Sequence, residues 1–140
     1  MTLEHRVARH ATPGELALGH DPGYVASVCE LAEHGGGRLD ADTVVSSGSW
    51  DAATAATGAV LDGVDLAISG TVARSFCSVR PPGHHALRDS GMGFCLFGSI
   101  GVAARYAKVR HSLARVLIVD WDVHHGNGTQ ALVQDDPELR

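Results

Sequence analysis

Arg115–Gly128 reads RVLIVDWDVHHGNG. The first five residues are an almost continuous apolar run. Such a run, too short for a buried helix and rich in β-branched side chains, predicts a strand buried on both faces of a parallel sheet. The run ends in aspartates, histidines and glycines. In open α/β sheets, sites form beyond the carboxyl ends of the strands. This stretch therefore predicts both the fold class, α/β with a parallel sheet, and the location of the chemistry.

A second segment has the same form. SFCSV (Ser75–Val79) is a short apolar strand halted by RPPG, and the histidine pair His84–His85 follows at once. Nine histidines occur in 140 residues, and four of them form the two adjacent pairs His84–His85 and His124–His125. With both pairs at predicted strand ends, the two loops are expected to face each other. The remaining histidines, His5, His10, His20, His34 and His111, read as ordinary surface or cap residues.

Elsewhere the periodicity predicts helices. Thr12-Pro13-Gly14-Glu15 has the capping-box pattern of a short helix. Asp21-Pro22 opens a second, which the glycines at Gly35–Gly37 stop. Leu39–Ser49 reads as a loop. Ser49 is expected to cap an Ala-rich helix reaching about Leu61. Asp65–Ala73 reads as loop with some strand. A loop from Gly93 becomes a helix through about Arg110, and Thr129–Val133 forms one or two turns. Helices alternating with apolar strands give the α/β class.

The composition fits one soluble globular domain: 44% hydrophobic, 19% charged, net charge −5. No basic surplus points to nucleic acid. No apolar run approaches the ~18 residues of a membrane span, and MTLEHRVARH lacks the apolar core of a signal peptide. Three cysteines without C-x-x-C spacing read as reduced thiols of a cytoplasmic protein. Nothing in the sequence sets an oligomeric state.

Residues two apart on an extended chain point the same way, ~6.5 Å between Cα atoms. Asp122 and His124 are thus placed to share one metal ion. Asp120 lies another ~6.5 Å back and suits the orienting of an imidazole instead. His125 points away and stays unassigned. In RPPGHHA the prolines stiffen the backbone that presents His84 and His85. Asp120 and Asn127 on the facing loop are the orienting groups available. An Asp partner favours the charged imidazolium and an Asn partner does not, so the pair can divide acid and base roles. Either pair alone is weak ground for a site, and Cys95 reads as a small core residue. Together, with matched partners, the pairs favour a site.

RPPGHHA, GMGFCLF and VLIVDWDVHHGNGTQ, in that order and spacing, resemble the zinc-dependent histone deacetylases. The resemblance is closest to the class II branch and bacterial relatives such as acetylpolyamine amidohydrolases, and it runs from about Thr12 to Arg140. It implies the arginase/deacetylase fold, a three-layer α/β arrangement with a parallel sheet. It also implies hydrolysis of an acetylated amine: acetyl-lysine in a histone or other protein, or an acetylpolyamine. By position, Asp122 and His124 correspond to two ligands of Zn2+, and His84 and His85 to the paired catalytic histidines. Asp120 corresponds to the partner of His84 and Asn127 to that of His85. Phe94, beside Gly93, corresponds to a wall of the acyl-lysine channel, and Asp42 to the rim aspartate that holds substrate backbone.

The departures are informative. The family's third zinc ligand and its transition-state tyrosine lie downstream of these motifs, and neither Tyr24 nor Tyr106 stands at a matching position. FGSIG replaces the usual asparagine-bearing stretch. Residues 1–140 are therefore expected to be a partial catalytic domain, lacking the opening strand and the C-terminal portion, and inactive by themselves. A degenerate binding module is the alternative. A binuclear manganese ureohydrolase, sharing the fold, wants a D-x-H-x-D pattern, and Gly126 stands at its last position.

Overall fold

The computed structural model describes residues 3–140. Five helices and one small sheet follow in the order α1 (Pro13–Leu16), α2 (Pro22–Glu33), β1 (Gly36–Arg38), β2 (Val44–Ser46), α3 (Ser49–Ile68), α4 (Ser99–His111) and α5 (Asn127–Val133).

Local chemistry explains most of the helix boundaries. Thr12 caps α1 with its hydroxyl on the Glu15 N–H, and Glu15 reaches back to the Thr12 N–H at 2.8 Å. Asp21 caps α2 through the Gly23 N–H at 2.7 Å. Gly35 and Gly36, both at positive φ, turn the chain out of α2 and into β1. Ser49 is the first residue of α3, after Gly48, and its hydroxyl accepts from the Ser46 N–H. The helix runs to Ile68, past the expected end at Leu61, because Val60, Leu61 and Val64 keep apolar spacing against the core. The first half of Asp65–Ala73 is therefore helical, with Asp65 turned outward to His111.

Leu39–Ser49 is more ordered than a loop. Its Val44–Ser46 pairs antiparallel with Gly36–Arg38, so that Val45 reaches the core. The sequence hides this hairpin because β1 is Gly-Gly-Arg, with no strand-forming side chain.

The main core gathers Leu16, Val28, Leu61, Phe97 and Val102 from α1 to α4. A second cluster packs Leu132, Val133 and Leu139 against Ala104 of α4. Polar ties hold that C-terminal part in place. Lys108 bridges Asp136 at 2.7 Å and Glu138 at 2.6 Å, and Arg105 donates to the Leu132 carbonyl.

The parallel sheet is absent from the described residues. Ser75–Val79 forms no ladder, and Arg115–Asp120 makes a single parallel bridge, Val116 to Leu139. Several of their apolar side chains are exposed, Phe76 at 93% and Leu117 at 76%, while Val116 and Ile118 pack partly on the second cluster. Both segments instead line an open cleft of roughly 850 Å3 floored by α3 and α4. A strand exists only where a neighbour takes its backbone hydrogen bonds. Both segments carry the composition of buried strands, and only Val116–Ile118 finds a backbone partner here, in Glu138–Arg140.

Candidate active site

The two histidine-bearing loops are joined first through backbone. The carbonyl of His84 accepts from the N–H groups of Gly128 and Thr129, at 2.8 and 3.0 Å, in the first turn of α5. The spacing between the loops is thereby set before any side chain acts.

On that frame the imidazoles are held individually. His84 Nδ1 donates to Asp120 Oδ2 at 3.0 Å, and His85 Nδ1 donates to Asn127 Oδ1 at 2.7 Å. Asn127 is itself oriented, its amide N–H reaching Met92 Sδ at 3.5 Å. Each ring therefore turns its Nε2 away from its partner. The ring centroids lie 4.1 Å apart. The bond from His84 holds the Asp120 carboxyl below the usual carboxylate range, with help from the Asp122 N–H.

Asp122 and His124 form a separate pair. Asp122 Oδ1 accepts from the His124 N–H at 2.8 Å and stands 3.0 Å from His124 Nδ1. These contacts, the backbone one first, hold the Asp122 carboxyl low. Together with the Asp122 N–H bonded to Asp120, they curl the segment, so Asp120 turns to His84 while Asp122 stays with His124. The His124 ring lies 6.0 Å from that of His85, which puts both pairs in one site. His125 bonds Gln130 of α5 at 2.8 Å and stands apart from the pair.

Zinc ligated by oxygen and nitrogen at ~2.0–2.1 Å in tetrahedral geometry leaves its donors about 3.3 Å apart. Asp122 Oδ1 and His124 Nδ1, at 3.0 Å, fit one edge of such a site. Catalytic zinc takes three protein ligands. Among the described residues no group of three or more His, Cys, Asp or Glu side chains is assembled for a metal. The donor chemistry fits zinc, and the donor number is incomplete.

Two glycines make the close packing possible. A Cβ on Gly126 would lie 2.3 Å from Asp120 Oδ2. On Gly93, at φ +56, it would lie 2.5 Å from His85 Cδ2. Gly93 thus lets the Met92–Cys95 turn lie flat on the His85 ring, and Phe94, also at positive φ and 61% exposed, projects beside it.

Asp42 joins this region through a residue the sequence did not single out. Thr43 is fully buried. Its hydroxyl donates to Asp42 Oδ1 at 3.1 Å and accepts from the Phe94 N–H at 3.0 Å. Met92, which orients Asn127, was also missed. Neither residue carries a sequence signal, since one hydroxyl or thioether has no pattern. His20 is a correction: expected at the surface, it is fully buried. Cys95 is buried in the core.

Comparison with known proteins adds lineage. Residues 2–140 match the histone deacetylase domain family. The chain is 41% identical over 130 residues to a histone deacetylase-like amidohydrolase of Pseudomonas aeruginosa, covering 93% of this chain and 34% of that protein. It is 44% identical over 142 residues to the human polyamine deacetylase HDAC10, covering 94% of this chain and 21% of that protein. The crystal structure of the HDA15 HD domain superposes with a TM-score of 0.91 at 39% identity, over 94% of this chain and 37% of that one. The chain thus spans about a third or less of the length of these curated relatives.

Proposed function

The chain belongs to the histone deacetylase family, and on that premise we propose that it is a partial catalytic domain of an amidohydrolase that removes acetyl groups from amines. The substrate class is acetyl-lysine in a peptide or protein, or an acetylated polyamine; relatives named for deacetylase-like and polyamine deacetylase activity support both. The observation that carries this reading is the histidine pair. Two imidazoles 4.1 Å apart have unlike partners, a carboxylate for His84 and an amide for His85.

That difference assigns roles. The neutral amide beside His85 leaves its Nε2 suited to take a proton from an attacking water. The carboxylate beside His84 fixes its ring through Nδ1 and leaves Nε2 facing the site, suited to hand a proton to the departing amine. Phe94 walls the apolar stem of the acylated side chain, and Asp42 holds substrate backbone at the rim. Asp122 and His124 are two of three zinc ligands. Zinc bound there would polarise the acetyl carbonyl and lower the pKa of its water. The domain is completed by a parallel sheet in which the bare segments Ser75–Val79 and Arg115–Asp120 acquire neighbours. The three free cysteines suit a reducing, cytoplasmic setting. No described helix is long and apolar enough to cross a membrane.

A binuclear manganese centre is disfavoured because Gly126 stands where the D-x-H-x-D pattern wants a carboxylate. The test is acetate release from acetyl-lysine peptide and from acetylated polyamine, in a form of the domain carrying the third ligand. His85→Ala removes most activity, on the order of 10²-fold or more, while zinc stays at about one per chain. An unchanged rate removes His85 from catalysis. Absence of acetate release from the unmutated protein supports a binding module instead.

A further inference from the structure

His20 takes no part in the chemistry above, yet it is fully buried between three segments. It lies between α1 and α2. Its Nδ1 lies 2.9 Å from the Leu87 carbonyl, and its Nε2 lies 2.9 Å from the Gly98 backbone N. Both partners are peptide groups of fixed polarity. A carbonyl only accepts and an N–H only donates, so His20 is neutral with its proton on Nδ1. The ring packs against Tyr24 and Phe97, at centroid distances of 5.7 and 5.4 Å. Beside it, the Asp21 N–H donates to the Arg88 carbonyl at 2.8 Å.

Leu87 and Arg88 follow the His84–His85 turn after Ala86, and Gly98 directly precedes α4. We propose that His20 is a positioning residue, which fixes the His84–His85 turn against the start of α4 and releases it on protonation. A buried apolar side chain would fill the same volume without fixing this distance. A second proton would place a cationic N–H against the Gly98 N–H, donor facing donor, inside the core. The titratable and charged groups near the ring are Asp21 beside it in the chain, Tyr24 against it and Arg88 on the turn, with Asp89 and Cys95 reaching Tyr24. From α4 itself the neighbour is Val102, which packs on Gly19. Burial pushes protonation below the usual histidine range, against the backbone bonds to Leu87 and Arg88, which favour it. The tie stands on its own geometry, whereas its catalytic meaning rests on the reading of His84 and His85 given above.

The experiment uses the full 140-residue chain, labelled with 15N. Imidazole shifts follow His20, and hydrogen-exchange protection factors are taken across pH. Gly98 reports the tie. Gly128 and Thr129, which donate to the His84 carbonyl, report the position of the turn. Leu61 in α3 reports the whole fold. As His20 protonates, protection at Gly98, Gly128 and Thr129 falls together by about tenfold, the scale of one or two lost hydrogen bonds, while Leu61 holds. His20→Gln keeps an acceptor near the Nε2 position and does not titrate, so the pH dependence disappears. His20→Phe shows the low protection at every pH. The proposal is overturned if Gly128 and Thr129 ignore the titration, if Leu61 falls with them, or if His20→Gln keeps the wild-type pH dependence. Should His20→Phe not fold, the Gln comparison decides alone. A failed acetate assay would discard the deacetylase reading and leave these protection data intact.

Discussion

Gly126→Ala isolates the contact on which the His84 side of the site depends. The backbone at Gly126 has φ −76 and ψ 62, outside the left-handed region, so a methyl group meets no conformational bar there. Its cost is steric, because it would lie 2.3 Å from Asp120 Oδ2, the atom that receives the 3.0 Å bond from His84. Relief requires the carboxylate to swing away and break that bond. Hydrogen bonds to charged groups contribute about 1.5–3 kcal/mol. Here the two side chains are 20% and 32% exposed, so part of the loss is recovered by water. A net cost of about 1–2 kcal/mol remains, which lowers Tm by about 3–8 °C for a chain of this size. Ala at a helix N-cap adds about 0.5–1 kcal/mol of its own, and a double-mutant cycle removes that part. In an Asp120→Ala background the methyl group finds space, and Gly126→Ala should cost only the capping contribution. Urea unfolding of the four proteins, followed by far-UV circular dichroism, gives the coupling energy. A coupling below about 0.5 kcal/mol, the limit within which independent sites add, would refute the steric reasoning.

Three further outcomes are expected. Isothermal titration of the 140-residue chain with zinc should give weak binding that Asp122→Asn or His124→Ala abolishes, because only two donors adjoin; tight stoichiometric binding would show a third ligand that the structure does not bring in. The bond from Arg9, the largest cause, holds the Glu15 carboxyl below its ordinary value. Its stabilising effect is complete above the unfolded-state pKa near ~4.3 and is lost as pH falls through the depressed folded value. The gap in urea midpoint between wild type and Glu15→Gln should therefore narrow in acid, and a gap constant with pH contradicts it. Phe76→Lys with Leu117→Lys should reduce self-association in sedimentation velocity without lowering Tm, since both side chains are largely in solvent; a marked loss of Tm would show that they pack.

Local signals served best where chemistry is local. The Thr12–Glu15 capping box and the Gly35–Gly36 stop appear in the structure at the positions the sequence assigns. The two loops also meet, because RPPG and HHGNG each direct a short rigid segment towards the same place. The failures are non-local. RVLIV has the composition of a strand buried in a parallel sheet, yet a strand is a property of pairs, and here only Val116–Ile118 finds a backbone partner, in Glu138–Arg140. The β1–β2 hairpin is invisible because one of its strands is Gly-Gly-Arg, which carries no strand-forming side chain to mark the partner of Val44–Ser46. His20 reads from sequence as an ordinary surface or cap histidine because a lone histidine announces nothing. Its burial comes from two peptide groups distant in sequence. The same holds for Thr43, whose hydroxyl joins Asp42 to Phe94 across about fifty residues of chain.

The pair of hydrogen bonds to the His84 carbonyl has a consequence for how this site can change. The donors are the amides of Gly128 and Thr129, and the acceptor is a peptide oxygen. None of the three belongs to a reacting side chain. Exchange of the imidazoles, the carboxylate or the amide therefore leaves the gap between the loops at its original width. Variants at 84, 85 or 127 are then expected to fold with the two loops at their original separation. The same indifference of scaffold to side chain leaves the chemistry free to drift over generations while the architecture stays in place.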